Sequence, residues 1–145
     1  MSPSDTAAIV DRLVAAWNAH DPEGVAECYA PDAVSRDVTL TDALHGRVAI
    51  RNAADAYLRA FPDLRLEVQR AFGEGRTLCE EWRATGTHEG DLFGLPATGR
   101  KAEVIGCNVI QVGEDGLIQS ETTYSDAAGL YRQLDRLPLL VQHAH

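Results

Sequence analysis

The chain has 145 residues, 45% of them hydrophobic and 24% charged, with a formal net charge of −9. That length predicts one domain over residues 1–145, able to bury roughly two-thirds of its unfolded surface. The acidic balance argues against nucleic acid and anionic membrane as partners, because both require clustered Lys and Arg.

No run of about 18 apolar residues is present, so no membrane span is predicted. The N-terminus lacks a basic stretch followed by an apolar one, so no signal peptide is predicted and the expected location is cytoplasmic. Cys28, Cys79 and Cys107 are odd in number and far apart, and none forms a C-x-x-C pair. They read as small buried hydrophobes in a reducing compartment rather than as a disulfide framework or zinc site.

Residues 5–19 read as an amphipathic helix, with Ile9, Val10, Leu13, Val14 and Trp17 at helical spacing. Ser4 or Asp5 is placed to cap it, just after Pro3. His20-Asp21-Pro22 ends it, and Pro22 opens a second short helix with Val25, Ala26 and Tyr29 inward. Residues 33–40 suggest a short strand or extended arm. His45-Gly46 precedes a third helix over residues 47–60, with Ile50, Ala53, Ala54, Tyr57 and Leu58 on its apolar side.

After Phe61-Pro62-Asp63 the period changes to two. Leu64, Leu66, Val68 and Ala71 alternate with Arg65, Glu67 and Gln69, the pattern of a half-buried strand. Gly73-Glu74-Gly75 reads as a hairpin turn into a strand over 76–87. A long strand is predicted over 99–112, a turn at Gly113-Glu114-Asp115-Gly116, a last strand over 117–124 and a final helix over 126–134. Ser125 or Asp126 is the expected N-cap of that helix. Helices segregated from an antiparallel sheet define an α+β fold. Packed on one face of a curved antiparallel sheet, the N-terminal helices leave a cone with an internal pocket.

Four segments carry a resemblance that spans nearly the whole chain. They are WNAHDPEGVAECYAPDAV from Trp17, LHGRVAI from Leu44, WRATGTHEGDLFGLPATGRK over residues 82–101 and YSDAAGLYRQLDRLP over 124–138. Together they resemble the SnoaL-like polyketide cyclase family of the nuclear-transport-factor-two superfamily. The resemblance implies a cone-shaped α+β fold and a homodimer formed through the outer face of the sheet. It also implies an intramolecular aldol ring closure by proton transfer, with no cofactor and no metal. In those cyclases the proton is handled by a pocket Asp immediately before an aromatic residue on the last strand. The aromatic here is Tyr124, so the matching position is Thr123, whose hydroxyl has no useful proton affinity near pH 7. The family's pocket His falls at Asn108, its third-helix Asn at Ala53 and its early pocket Tyr at Trp17.

Strand geometry offers a substitute base. Residues two apart share a face, so Glu121 lies beside Thr123. If that face lines the pocket, burial raises its pKa toward the working range of a base; otherwise it is a solvated strand glutamate. Asn108 is placed to donate a hydrogen bond to a developing enolate, or to be a satisfied polar residue between strands. APDAVSRDV resembles the arm of ketosteroid isomerases that carries a proton-shuttling Asp, which makes Asp37 a third catalytic candidate. Leu13 stands near the place of those isomerases' oxyanion-binding tyrosine.

Glu80 shares a strand face with Trp82, and the sequence leaves open whether Glu80 or its neighbour Glu81 is inward. Trp17 and Trp82 are expected to wall the core or pocket, with Thr123 and Tyr124 beside them. His88 is placed at the pocket rim or bonded to its own loop backbone. His143 and His145 lie in a tail too isolated for a metal site, and no metal, phosphate-loop, dinucleotide or G-x-S-x-G motif is present. The expected ligand is a small apolar or aromatic molecule. The expected activity is cofactor-free cyclisation or isomerisation, and the alternative is a binding protein that kept the pocket and lost the carboxylate.

Overall fold

The structure is a computed structural model that describes residues 2–136; His143 and His145 lie outside the described residues. Two helices, α1 (Pro3–Asn18) and α2 (Pro22–Glu27), come first, then strands β1 (Tyr29–Asp37) and β2 (Leu44–His45) and the helix α3 (Arg47–Ala60). They are followed by β3 (Arg65–Glu74), β4 (Thr77–Thr87), β5 (Lys101–Val112), β6 (Ile118–Ser125) and α4 (Ala127–Gln133). The six strands form one curved sheet in the order β2-β1-β6-β5-β4-β3. Among the described residues no helix is long and apolar enough to cross a membrane.

α1 begins earlier than its apolar periodicity implies. Its N-cap is Ser2 rather than Ser4 or Asp5: Ser2 Oγ accepts from the Asp5 N–H at 3.2 Å, and Asp5 Oδ2 accepts from the Ser2 N–H at 3.0 Å. This reciprocal box satisfies two otherwise orphaned donors, and Pro3 fits the first turn because no intrahelical bond needs its missing N–H. Ser2→Ala is therefore expected to cost about 1 kcal/mol in urea unfolding. An unchanged midpoint would show that the first turn contributes nothing to the fold.

The inward face of α1 places Ile9, Val10 and Leu13 against Val25, Ile50, Leu78, Ile110 and Ile118. Tyr29 is buried as expected, but as the first residue of β1 rather than a residue of α2. The Arg47 guanidinium grips its carbonyl with bonds of 2.6 and 3.0 Å. β1 then pairs in parallel with β6, bringing Ser35 opposite Glu121 and Asp37 opposite Thr123. This pairing converts the predicted four-strand meander into a six-stranded mixed sheet.

β3, β4, β5 and β6 run antiparallel as predicted. β3 extends to Glu74, and the turn is the pair Gly75-Arg76, with Gly75 at φ 60°. A register shift between Val68 and Arg70 marks a bulge in this edge strand, and Ala71 beyond it is exposed. Of the cysteines only Cys28 is buried; Cys79 and Cys107 are half-buried on the outer face of the sheet.

Candidate active site

Alternation divides the strand residues between two faces, and the curvature of the sheet around α1 makes one of them the inner face. Glu80, Trp82, Ala84 and Gly86 of β4, Ala102, Val104 and Asn108 of β5, and Glu121, Thr123 and Ser125 of β6 all face one cavity. Leu13 and Trp17 of α1, Ala53 and Tyr57 of α3, and Leu130 and Tyr131 of α4 close it from the other side. Its volume is about 290 Å³, at the lower edge of small-molecule sites, about 300–1,000 Å³. Leu40, Asp42 and Phe93 line it while exposed to solvent and mark its mouth. There Tyr57 packs edge-on against Phe93 at 5.2 Å and against Trp17 at 6.5 Å.

Two carboxylates stand at the closed end. Glu121 is 6% exposed, and three side chains donate to it. The Tyr29 hydroxyl lies 2.9 and 2.8 Å from its two oxygens, Ser35 Oγ donates to Oε1 at 2.9 Å, and Asn108 Nδ2 donates to Oε2 at 3.2 Å. Trp82 Nε1–H in turn donates to Asn108 Oδ1 at 3.0 Å. Glu80 is 1% exposed, and its Oε2 has no hydrogen-bond partner. It pairs across the ladder with Asn108, which pairs on its other side with Thr123.

Burial raises both carboxyls, because a low-dielectric wall disfavours the charged form. It lifts Glu80 to about 7, with the Glu121 charge adding to the effect. Glu121 is raised by burial and pulled back by its donors Tyr29, Ser35 and Asn108. Donors to a carboxylate favour its ionised form, and Glu80 Oε2 accepts none. The donor geometry thus favours negative charge on Glu121, which three side chains hold, over Glu80, whose Oε2 has no partner among the described residues. Tyr29 stays a phenol, its pKa pushed well up first by burial and then by the neighbouring Glu121 charge.

The structure thus brings Glu121, Asn108, Glu80, Trp82, Thr123, Trp17 and Asp37 to one cavity. Asp37 lies toward the mouth, where its Oδ1 accepts from the Thr39 N–H at 2.9 Å and the Thr39 hydroxyl at 2.6 Å. Glu81 points to the outer face and pairs with Arg70 at 3.1 Å. Tyr124 also projects outward, 49% exposed, because it is one residue out of phase with Thr123. His88 is buried off the cavity wall. Its Nδ1 accepts from the Thr98 N–H at 3.3 Å and lies 3.0 Å from the Thr98 hydroxyl. Asp126 caps α4 by accepting from the Gly129 N–H at 2.8 Å.

Sequence reasoning did not find Tyr29 or Ser35 as functional residues. Both act through the β1–β6 pairing, which no local pattern announces. Among the described residues no cluster of three or more His, Cys, Asp or Glu is placed to hold a metal ion.

A family model described as SnoaL-like polyketide cyclase matches residues 7–134. No curated protein matches the sequence. Among solved structures, IdmH of Streptomyces antibioticus, named as a candidate polyketide cyclase, is 30% identical with a TM-score of 0.75; the match covers 90% of this chain and 98% of that one. TsrD of Streptomyces laurentii is 25% identical with a TM-score of 0.83, covering 94% and 99% of the two chains. AclR of Streptomyces galilaeus, named as a candidate hydroxylase, is 25% identical with a TM-score of 0.81, covering 94% and 100%.

Proposed function

The chain belongs to the SnoaL-like polyketide cyclase family, and from that premise we propose that it closes a ring in a small, uncharged and largely apolar carbonyl compound by intramolecular aldol addition. The observation that carries this reading is the buried Glu80–Glu121 pair at the closed end of an apolar cavity, with one carboxyl near 7 and an oxygen left without a partner. A proton-transfer group works best when its pKa lies near the working pH.

With Glu80 near 7, part of it is ionised at neutral pH, and that form takes a proton from the carbon between two carbonyls while the C–H electrons pass to an enolate. The enolate carbon attacks the carbonyl carbon at the far end of the same molecule, forming the C–C bond and an alkoxide. Protonated Glu80 returns its proton to that alkoxide. Atoms balance with no co-reactant. Asn108 has one amide proton on Glu121 and a second left for the enolate oxygen. Thr123 lines the wall beside it as a further hydroxyl donor. Glu121, already held by three donors, serves as the fixed anion that keeps the proton of the pair on Glu80. Since among the described residues no Lys, Arg or His lines the cavity, an ionised acid would be repelled there, whereas its ester would not.

The alternative, a binding protein without catalysis, is favoured by Thr123, which stands where the family's carboxylate would be. The discriminating experiment incubates the protein in deuterated water with aromatic 1,3-dicarbonyl esters and follows exchange at the acidic carbon. Binding is followed in parallel through the fluorescence of Trp17 and Trp82. Exchange above buffer rate supports proton transfer. Fluorescence quenching with no exchange across the panel would sink the enzyme reading and leave the binding one. We further propose a homodimer through the outer sheet face, where Phe72, Ile105 and Tyr124 stand exposed.

A further inference from the structure

Trp82 reads at first as a wall of the cavity, but its polar edge is committed elsewhere. A Cβ on Gly106, its cross-strand partner, would lie 2.6 Å from Trp82 Cζ2 and 2.9 Å from Cη2. The missing side chain is what lets the indole lie over β5. From that seat Nε1–H reaches Asn108 Oδ1 at 3.0 Å. An indole N–H only donates, so only the carbonyl end of the Asn108 amide can face it. The amide NH₂ is then turned toward Glu121, where it donates at 3.2 Å. A flipped amide would present its oxygen to the Glu121 carboxylate and remove one of the three donors that hold the charge there.

We propose that Trp82 is a positioning residue: its indole N–H fixes the Asn108 amide so that the single proton of the carboxylate pair stays on Glu80. The inference rests on the pair described above and adds a residue that sets which member works. The groups facing the pair support this assignment. Tyr29 comes from β1 and donates to Glu121. Asp37 and Asp42 lie toward the mouth, Tyr57 comes from α3 and Tyr131 from α4. α1 and α2 contribute only apolar side chains or indole, and among the described residues no cationic side chain lines the cavity. With no described cation at the pair, the neutral donors decide the place of the proton.

The test reads the carboxyls directly in ligand-free protein carrying ¹³C at the glutamate δ-carbons. Glu80→Gln and Glu121→Gln identify the two resonances. In the wild type the resonance that titrates near neutrality is expected to be Glu80. In Trp82→Phe the amide is released, and the near-neutral titration is expected to pass to Glu121. A folded Trp82→Phe in which Glu80 titrates as before overturns the proposal. A double-mutant cycle separates positioning from packing, since Trp82 acting only through the amide leaves Trp82→Phe/Asn108→Leu titrating like Asn108→Leu alone. A further displacement in the double variant overturns the proposal equally.

If Trp82→Phe does not fold, the Trp82 indole N–H resonance reads the link without substituting Trp82. Its protection from solvent exchange is expected to be lost in Asn108→Leu, and protection that survives refutes the contact. No substrate enters any of these measurements, so their failure is distinct from a failure of the catalytic reading.

Discussion

Glu80→Gln is expected to lower the rate of deuterium exchange or ring closure about 10²–10⁴-fold, the range for losing a positioned proton-transfer group. Binding of the substrate is expected to change little. Glutamine keeps the shape and one hydrogen-bonding end of the side chain, and a base contributes mainly in the transition state. The loss should thus fall on kcat, with KM nearly unchanged. Glu121→Gln removes the anion that helps raise Glu80, so its pH–rate profile is expected to move toward lower pH rather than only lose height. Asp37→Asn, whose carboxylate is bonded to Thr39 rather than to either glutamate, is expected to keep the profile. A Glu80→Gln variant as active as wild type, with Glu121→Gln equally active, would remove both carboxylates from the chemistry.

The same burial predicts an unusual dependence of stability on pH. Glu80 sits at about 7 in the folded chain against an ordinary value of 4.5. Between those values the folded chain keeps a proton that the unfolded chain has released. Stability is therefore expected to fall as pH rises through this window and to level off above about 7. At about 1.36 kcal/mol per pKa unit the loss is about 3 kcal/mol, little screened by solvent because Glu80 is 1% exposed. Glu121, also raised by burial, acts with the same sign. Asp63 is held below its ordinary value by the Thr87 backbone and hydroxyl donors, so it acts with the opposite sign at lower pH. Urea midpoints are thus expected to peak near about pH 5 and to drop by about pH 8, with the drop largely absent in Glu80→Gln. A flat wild-type midpoint over that range would mean that Glu80 is hydrated and ionised in the folded chain.

Much of the architecture was legible locally. The spacing of Ile9, Val10 and Leu13 marks α1, and Ile50, Ala54 and Leu58 mark α3 over the residues it occupies. The alternation after Pro62 marks the antiparallel strands, and Gly113–Gly116 marks a turn. These signals are strong because one face of each element is buried and the helical or strand period repeats that face along the chain. The motif segments from Trp17 to the end of α4 carried the family, which the match over residues 7–134 establishes.

The site was legible only in part. Alternation by itself determined that Glu121 and Thr123 share a face, and that Glu80 and Trp82 share another, because successive strand side chains point to opposite sides. It could not say which side is the inside, so Glu80 and Glu81 were interchangeable until the sheet curved around α1 and put Glu80 at the closed end. Nor could it bring β1 against β6, a parallel pairing across most of the chain that only the packed core enforces. Through that pairing Tyr29 and Ser35 become donors to Glu121, while Glu80 Oε2 is left without one among the described residues. The sequence thus determined the candidates, Glu121 and either Glu80 or Glu81, and the period that spaces them. The tertiary structure alone decided which carboxylate is held by donors and which keeps an oxygen without a partner, because burial and the donors that set proton affinity arrive from distant segments.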